Sequence, residues 1–136
     1  MSNTGIWVSA ARLRTLPLSL SGIIVGSFLA ASHGVFDLKI CLLALLTTVG
    51  FQVISNFAND YGDGVKGTDN EERVGPERAL QSGAISPEAM LNAIKITGVI
   101  TTLIALLLIY VAFGTEHIIY SIVFIILGVS SIIAAI

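Results

Sequence analysis

Four long apolar segments dominate the sequence, separated by two short polar connections and one long one. The segments cover residues 16–31, 38–57, 89–113 and 118–136. A helix needs roughly 20 residues to cross the hydrocarbon core of a bilayer. Backbone groups in lipid must be satisfied within the segment itself, which a helix achieves. We therefore predict an all-α fold, a polytopic transmembrane helical bundle with four spanning helices.

The first segment has an alternative interpretation. Two arginines, an apolar run and the small residues at 29–32 also resemble a cleavable signal peptide. Three further apolar segments follow, and the charged region before the run would be unusually long. A spanning helix is therefore favoured for this segment as well.

The long connection, about residues 60–88, carries most of the charge. Serine, proline and an acid at 86–88 are typical of a helix start. Six of the seven basic residues lie at the N-terminus or around this connection: Arg12, Arg14, Lys66, Arg73, Arg78 and Lys95. Basic residues mark the cytoplasmic side of spanning helices. We expect the N-terminus and the long loop to face the cytoplasm, in a cell inner (plasma) membrane.

Composition supports a lipid environment and excludes some functions. Hydrophobic residues make up 54% of the 136 residues and charged residues only 12%, about half the charged share of a soluble domain. The net charge of -2 does not suggest a nucleic-acid partner. The single cysteine, Cys41, allows neither an internal disulfide nor a zinc site.

Seven of the nine acidic residues lie between positions 60 and 88. If the second helix continues for two turns beyond its apolar part, four side chains share one face, because residues three and four apart are neighbours. These four are Asn56, Asn59, Asp60 and Asp63. Gly64 and Gly67 can then end the helix. Such a face presents clustered oxygen ligands at the membrane surface.

Clustered carboxylates favour a cation between them, and Mg²⁺ is the best candidate. It takes oxygen ligands, uses one or two carboxylates, and completes its shell with water and phosphate oxygens. Lys66, Arg73 and Arg78 lie close by in sequence and can hold the same phosphates. We infer a lipid-linked diphosphate as substrate. A solvated polar loop with no ligand remains the alternative, whereas EF-hand and P-loop patterns do not match.

The string NFANDYGDGVKGTD at 56–69 resembles the first aspartate-rich motif of the UbiA superfamily of membrane prenyltransferases, in its menaquinone branch. The strings at 11–17 and 75–83 are similar to the same branch. The resemblance implies the N-terminal four helices of a UbiA-type fold. It also implies that Asn59, Asp63 and Asp69 bind Mg²⁺ and the diphosphate of a polyprenyl donor.

The resemblance further implies roles for neighbouring residues. Asp63, Asp69 and Lys66 would be catalytic. The substrate-binding residues would be Asn56, Asn59, Asp60, Lys66, Arg78 and Arg12, with Lys66 and Arg78 contacting the diphosphate or ordering the loop. Apart from the resemblance, Arg12 and Arg14 are candidates for contacting the acidic aromatic substrate, and an orientation signal with headgroup contact is the favoured alternative. Polyprenyl diphosphate would prenylate 1,4-dihydroxy-2-naphthoate with loss of carbon dioxide, giving demethylmenaquinone.

Members of this superfamily have about nine helices and a second aspartate-rich motif, and neither is found in this sequence. The chain also stops within an apolar run. We therefore expect the N-terminal part of a longer protein, inactive by itself and partnered by the missing C-terminal half. Another UbiA-type aromatic prenyltransferase is one alternative. A non-enzymatic small membrane subunit is another, and a phosphatidyl-alcohol transferase is disfavoured because its motif fails after Asp63–Gly64.

Overall fold

The computed structural model describes residues 3–66 and 78–135, and every regular element in these ranges is helical. The elements in chain order are α1 (Asn3–Ala11), a one-turn 3-10 helix (Leu13–Thr15), α2 (Leu16–Ser32), α3 (Leu38–Lys66), α4 (Pro87–Phe113) and α5 (Ile118–Ala135). The predicted all-α class is confirmed.

In the part of the chain that the structure describes, three helical stretches are long and apolar enough to cross a membrane: Asn3–Ser32, Leu38–Lys66 and Pro87–Phe113. The fourth apolar helix is shorter, at Ile118–Ala134. Large apolar side chains cover the outside of the bundle, as at Leu18, Phe28 and Ile119, which are 84%, 74% and 73% exposed. Such a surface is suited to lipid rather than water. The chain is a multi-pass membrane protein.

The buried apolar core lies at one end of the bundle. Its members come from α1, α3, α4 and the segment before α4: Ala10, Ala11, Ile54, Phe57, Ala58, Ile85, Met90 and Ile94. Trp7 of α1 packs edge-to-face on Phe57, with ring centroids 5.7 Å apart. This contact holds the N-terminal helix against α3 beside the acidic residues.

α3 and α4 also come close together further along the bundle, at Gly50 and Thr101. A β-carbon built on Gly50 would lie 2.2 Å from the Thr101 Oγ1 atom. Thr101 itself is only 1% exposed. Small residues at helix contacts let backbones come together in membranes, where van der Waals packing replaces the hydrophobic effect.

Helix boundaries differ from the predicted ones in two places. Residues 3–11 form a helix that the hydrophobic pattern did not predict, because this helix has no strong apolar face and is held by its contacts with α3. α3 also runs through Gly64 to Lys66, so the predicted end at Gly64 is wrong. A β-carbon on Gly64 would lie 1.9 Å from Leu80 Cδ2, so this glycine provides room for the returning chain.

The start of α4 is as the sequence predicts. The Ser86 hydroxyl accepts a hydrogen bond from the Ala89 amide at 3.2 Å, and Pro87 and Glu88 occupy the first turn. The long connection is consequently shorter than expected, since 60–66 is helical and α4 begins at Pro87. Gly67 lies outside the described residues.

Candidate functional site

The last two turns of α3 carry the predicted acidic face. The structure continues the helix as far as this face requires, and Asn56, Asn59, Asp60 and Asp63 all lie on it. The four side chains nevertheless differ in burial, and two are buried while two are accessible. Asn56 and Asp60 are 4% and 1% exposed, whereas Asn59 is exposed and the Asp63 side chain retains 40% of its surface. Only Asn59 and Asp63 are therefore directly accessible to a ligand.

Asn56 links the N-terminal segment to α3 by hydrogen bonds. Its side-chain amide donates to the Ala11 carbonyl oxygen at 2.8 Å and to the Thr15 hydroxyl at 3.5 Å. The Ala11 carbonyl is at the C-terminus of α1, where helix carbonyls have no partner in their own helix. Asn56 thus has a structural hydrogen bond here, and its predicted substrate contact stays a prediction.

Arg12 occupies the break between α1 and the 3-10 helix. Its backbone is left-handed, with φ 49° and ψ 51°, a conformation that costs a non-glycine residue roughly 1–2 kcal/mol. The Arg12 carbonyl accepts from the Thr15 amide and hydroxyl at 3.0 and 2.9 Å, which stabilises the bend. The bend sets the half-buried Arg12 at the same end of the bundle as the acidic face.

Arg78 is the cation that the fold brings to Asp63. Its guanidinium donates to the Asp63 carboxylate and, at 3.0 Å, to the Asn59 carbonyl oxygen. The Arg78 side chain is 14% exposed. A compact turn holds it there, with the Ser82 amide donating to the Arg78 carbonyl at 2.9 Å and Gly83 in the left-handed region at φ 71°.

The other predicted residues are placed differently. Lys66 is exposed at the end of α3, three residues after Asp63, and it also borders a groove between α3 and α4. Asp69, predicted as a metal ligand, and Arg73, predicted near the phosphates, lie outside the described residues. Their roles stay predictions.

The accessible oxygen atoms of this site are of the kind that a divalent metal ion takes as ligands. Within residues 3–66 and 78–135, no three His, Cys, Asp or Glu side chains form a group that could hold a metal. Asp63 supplies one carboxylate, and Asn59, one turn earlier, supplies an amide oxygen. Mg²⁺ commonly uses only one or two protein carboxylates. The same carboxylate is neutralised by Arg78 in the structure.

A polar row along α3 was missed by the sequence analysis. Gln52 donates to the Asn56 carboxamide oxygen at 3.4 Å and accepts from the Ser19 hydroxyl of α2. A cleft of about 510 Å³ opens beside it, lined by Ser19, Thr48, Gln52, Ser55 and Ser131 among others. The available signal was a polar residue every fourth position, at 52, 56 and 60, within an otherwise apolar run.

We expect Asn56→Ala to lower the free energy of unfolding by about 1–3 kcal/mol. The substitution leaves the Ala11 carbonyl at the end of α1 without its 2.8 Å donor. The thermal unfolding midpoint in detergent measures the change.

Asn92→Ala is the matched control, because Asn92 is exposed on α4. It should leave the midpoint unchanged. Equal midpoints for both variants would show that the Asn56 hydrogen bond contributes nothing to stability.

Comparison with known proteins gives one consistent result. Residues 19–135 match the UbiA prenyltransferase family. The 1,4-dihydroxy-2-naphthoate octaprenyltransferase of Escherichia coli K12 is 46% identical over 136 residues, which is 100% of this chain and 44% of that protein. Proteins of the same name match from Haemophilus influenzae, 51% identical over 87 residues (62% of this chain, 28% of that protein), and Mycobacterium tuberculosis, 42% over 94 residues (68% and 32%).

The chain thus spans less than half the length of these relatives. No solved structure matches it at a significant level. The resemblance drawn from the string at 56–69 is confirmed by these matches.

Proposed function

Because the chain belongs to the UbiA prenyltransferase family, we propose that it provides the donor-binding part of a polyprenyltransferase of menaquinone biosynthesis. The enzyme would transfer a polyprenyl group from polyprenyl diphosphate to 1,4-dihydroxy-2-naphthoate. Relatives named 1,4-dihydroxy-2-naphthoate octaprenyltransferase support this choice of acceptor. The rest of the relatives' length, which is more than half, would complete the site.

One observation carries the proposal. Asp63 and Asn59 are accessible, one turn apart at the end of an apolar helix, and Arg78 reaches both positions from the returning chain. An arginine fork matches phosphate oxygens well. A carboxylate for a cation and a guanidinium for a phosphate, both beside lipid, suit a diphosphate with an apolar tail.

Proteins of this family generally depend on a divalent metal, and we propose Mg²⁺ here. Asp63 and Asn59 would hold it, with Asp69 as the further predicted ligand. When bound, such an ion neutralises the charge that develops on the departing diphosphate oxygens. Arg78 then contributes a second positive charge at the same oxygens, in place of its present ion pair with Asp63.

The reaction follows from this charge arrangement. The bond between the allylic carbon and the diphosphate oxygen breaks, and the diphosphate leaves with the electron pair. The ring carbon that bears the carboxylate attacks the allylic cation. The carboxylate then leaves as carbon dioxide and restores aromaticity, which gives the reduced form of demethylmenaquinone. The protein's contribution is positioning, electrostatic stabilisation and exclusion of water.

The acceptor needs hydrogen-bonding partners that the prenyl tail does not. Its two hydroxyl groups and carboxylate are polar, and the cleft beside Gln52 offers hydroxyl and amide groups. We assign the cleft to the acceptor side of the site. Arg12, half-buried at the same end of the bundle, supplies a positive charge for the carboxylate.

The proposal also includes the membrane in which the protein lies and the orientation of the protein in it. The protein would sit in the inner (plasma) membrane with its N-terminus and acidic end in the cytoplasm, as the basic residues indicate. The diphosphate would then be bound at the cytoplasmic interface while the prenyl tail stays among the apolar helices.

Calorimetric titration of the full-length gene product with a polyprenyl diphosphate tests the proposal. Binding should require Mg²⁺. Arg78→Ala should weaken it by about 10- to 100-fold, the effect of losing one charged hydrogen bond, while Arg78→Lys should recover part of the loss.

Lys39→Ala is the control for charge alone. Lys39 is exposed at the opposite end of α3 and should not affect donor affinity. Absence of Mg²⁺-dependent binding in the unaltered protein would reject the proposed function.

A further inference from the structure

A groove between α3 and α4 lies away from the proposed active site. It has a volume of about 730 Å³, and its walls are apolar, with Tyr61 and Val65 on α3 and Leu91 and Val99 on α4. Tyr61 and Asp63 are two residues apart, so they point about 200° from each other around the helix. The part of the wall formed by Tyr61 and Val65 is therefore on the side of α3 away from Asp63, and Lys66 lies at its edge.

Two lysines are the charged side chains of this groove. Lys66 ends α3 and Lys95 is on the third turn of α4, and both are exposed and line the groove. Among the described residues, no Asp or Glu lines it. Glu88, two turns before Lys95 on α4, is exposed and is not part of the lining. Within residues 3–66 and 78–135, the groove thus joins an apolar wall to two positive charges.

We propose that this groove binds an anionic phospholipid of the surrounding bilayer. Its acyl chain would lie along the apolar wall, and its phosphate would be held by Lys66 and Lys95. Lysine stems lie along apolar surface while their ammonium groups reach the polar boundary, where lipid phosphates are found. The two positive charges favour an anionic headgroup over a neutral one. The long apolar wall favours a lipid over a free phosphate, because only the lipid has acyl chains to bury there.

The apolar wall of this site is on the other side of α3 from Asp63. Lys66 borders that wall and is also only three residues after Asp63, so its predicted role at the diphosphate is kept apart from this one by the competition test below. Occupancy of the groove would connect α3 to α4 through one lipid, near the point where the chain leaves α3 for the acidic segment. Bilayer composition would then influence the stability of the helix that carries Asp63.

Native mass spectrometry of the full chain, exchanged into detergent with phosphatidylglycerol or phosphatidylcholine, tests the inference. The unaltered chain should retain phosphatidylglycerol about tenfold more strongly, since each lysine near an anionic headgroup adds a favourable interaction. In the variant carrying both Lys66→Gln and Lys95→Gln, the preference should fall to near one. Lys39→Gln, a lysine outside the groove, should keep it.

A second measurement guards against misfolded variants. Phosphatidylglycerol should raise the thermal unfolding midpoint of the unaltered chain and of Lys39→Gln, but not of the double variant, whose midpoint without lipid should be unchanged. A preference that survives in the double variant, or that is lost equally with Lys39→Gln, overturns the inference. So does displacement of phosphatidylglycerol by farnesyl diphosphate, because the groove would then bind the prenyl donor.

Discussion

Replacing Asp63 by Asn should lower kcat for prenyl transfer by about 100- to 1000-fold in the full-length gene product, the usual effect of removing one electrostatic group from a reaction centre. The substitution keeps the size of the side chain and removes its charge. A cation loses its accessible carboxylate, and the Arg78 guanidinium loses its ion-pair partner. Transfer of radiolabelled prenyl groups to 1,4-dihydroxy-2-naphthoate in membrane vesicles measures the loss.

Glu116→Gln is the matched control, since Glu116 is an exposed acid in the turn between α4 and α5. It should retain full activity. Membrane insertion and protein level should be equal for both variants. Activity within a few-fold of the unaltered enzyme for Asp63→Asn would remove Asp63 from the mechanism.

Gly50→Ala should destabilise the fold by overpacking the contact between α3 and α4. The new β-carbon would lie 2.2 Å from Thr101 Oγ1, 2.8 Å from its Cγ2 and 3.0 Å from its Cβ. Rotation of the threonine cannot relieve three contacts at once, so α3 and α4 must separate. Overpacking of this kind costs about 1–3 kcal/mol. A lower thermal unfolding midpoint in detergent reports it.

Two further variants make this prediction specific. Gly26→Ala on α2 introduces the same methyl group where nothing lies within 4 Å, and its midpoint should be unchanged or slightly higher. Thr101→Ala combined with Gly50→Ala should restore part of the stability, because the clashing hydroxyl and methyl are gone. An unchanged midpoint for Gly50→Ala alone would contradict the observed helix contact.

The acidic face of α3 shows what the spacing of residues along one helix can predict about a site. Helical periodicity correctly placed Asn56, Asn59, Asp60 and Asp63 on one side of α3, because that depends only on the geometry of one helix. Periodicity could not show which of the four side chains are accessible. Asn56 and Asp60 are buried, and Asn56 donates to the carbonyl oxygen of Ala11, which is 45 residues away in sequence.

The ion pair of Arg78 also depends on tertiary structure. The sequence placed it within a long loop, near the phosphates or ordering the chain. The turn at 78–83 and the packing of Leu80 on Gly64 bring its guanidinium onto Asp63, fifteen residues away. Gly64 looked like a helix end because glycine often stops helices, yet here it makes room for Leu80.

By itself, the sequence determined the class of protein, the number and type of its apolar segments, and the family motif at 56–69. These properties depend on composition and local spacing, which act through the solvent and through single helices. The tertiary structure alone decided which polar side chains are accessible, which cation meets Asp63, and that Lys66 joins Lys95 at a separate groove. Those outcomes depend on contacts between segments remote in sequence, and each contact is set by the packing of the whole bundle.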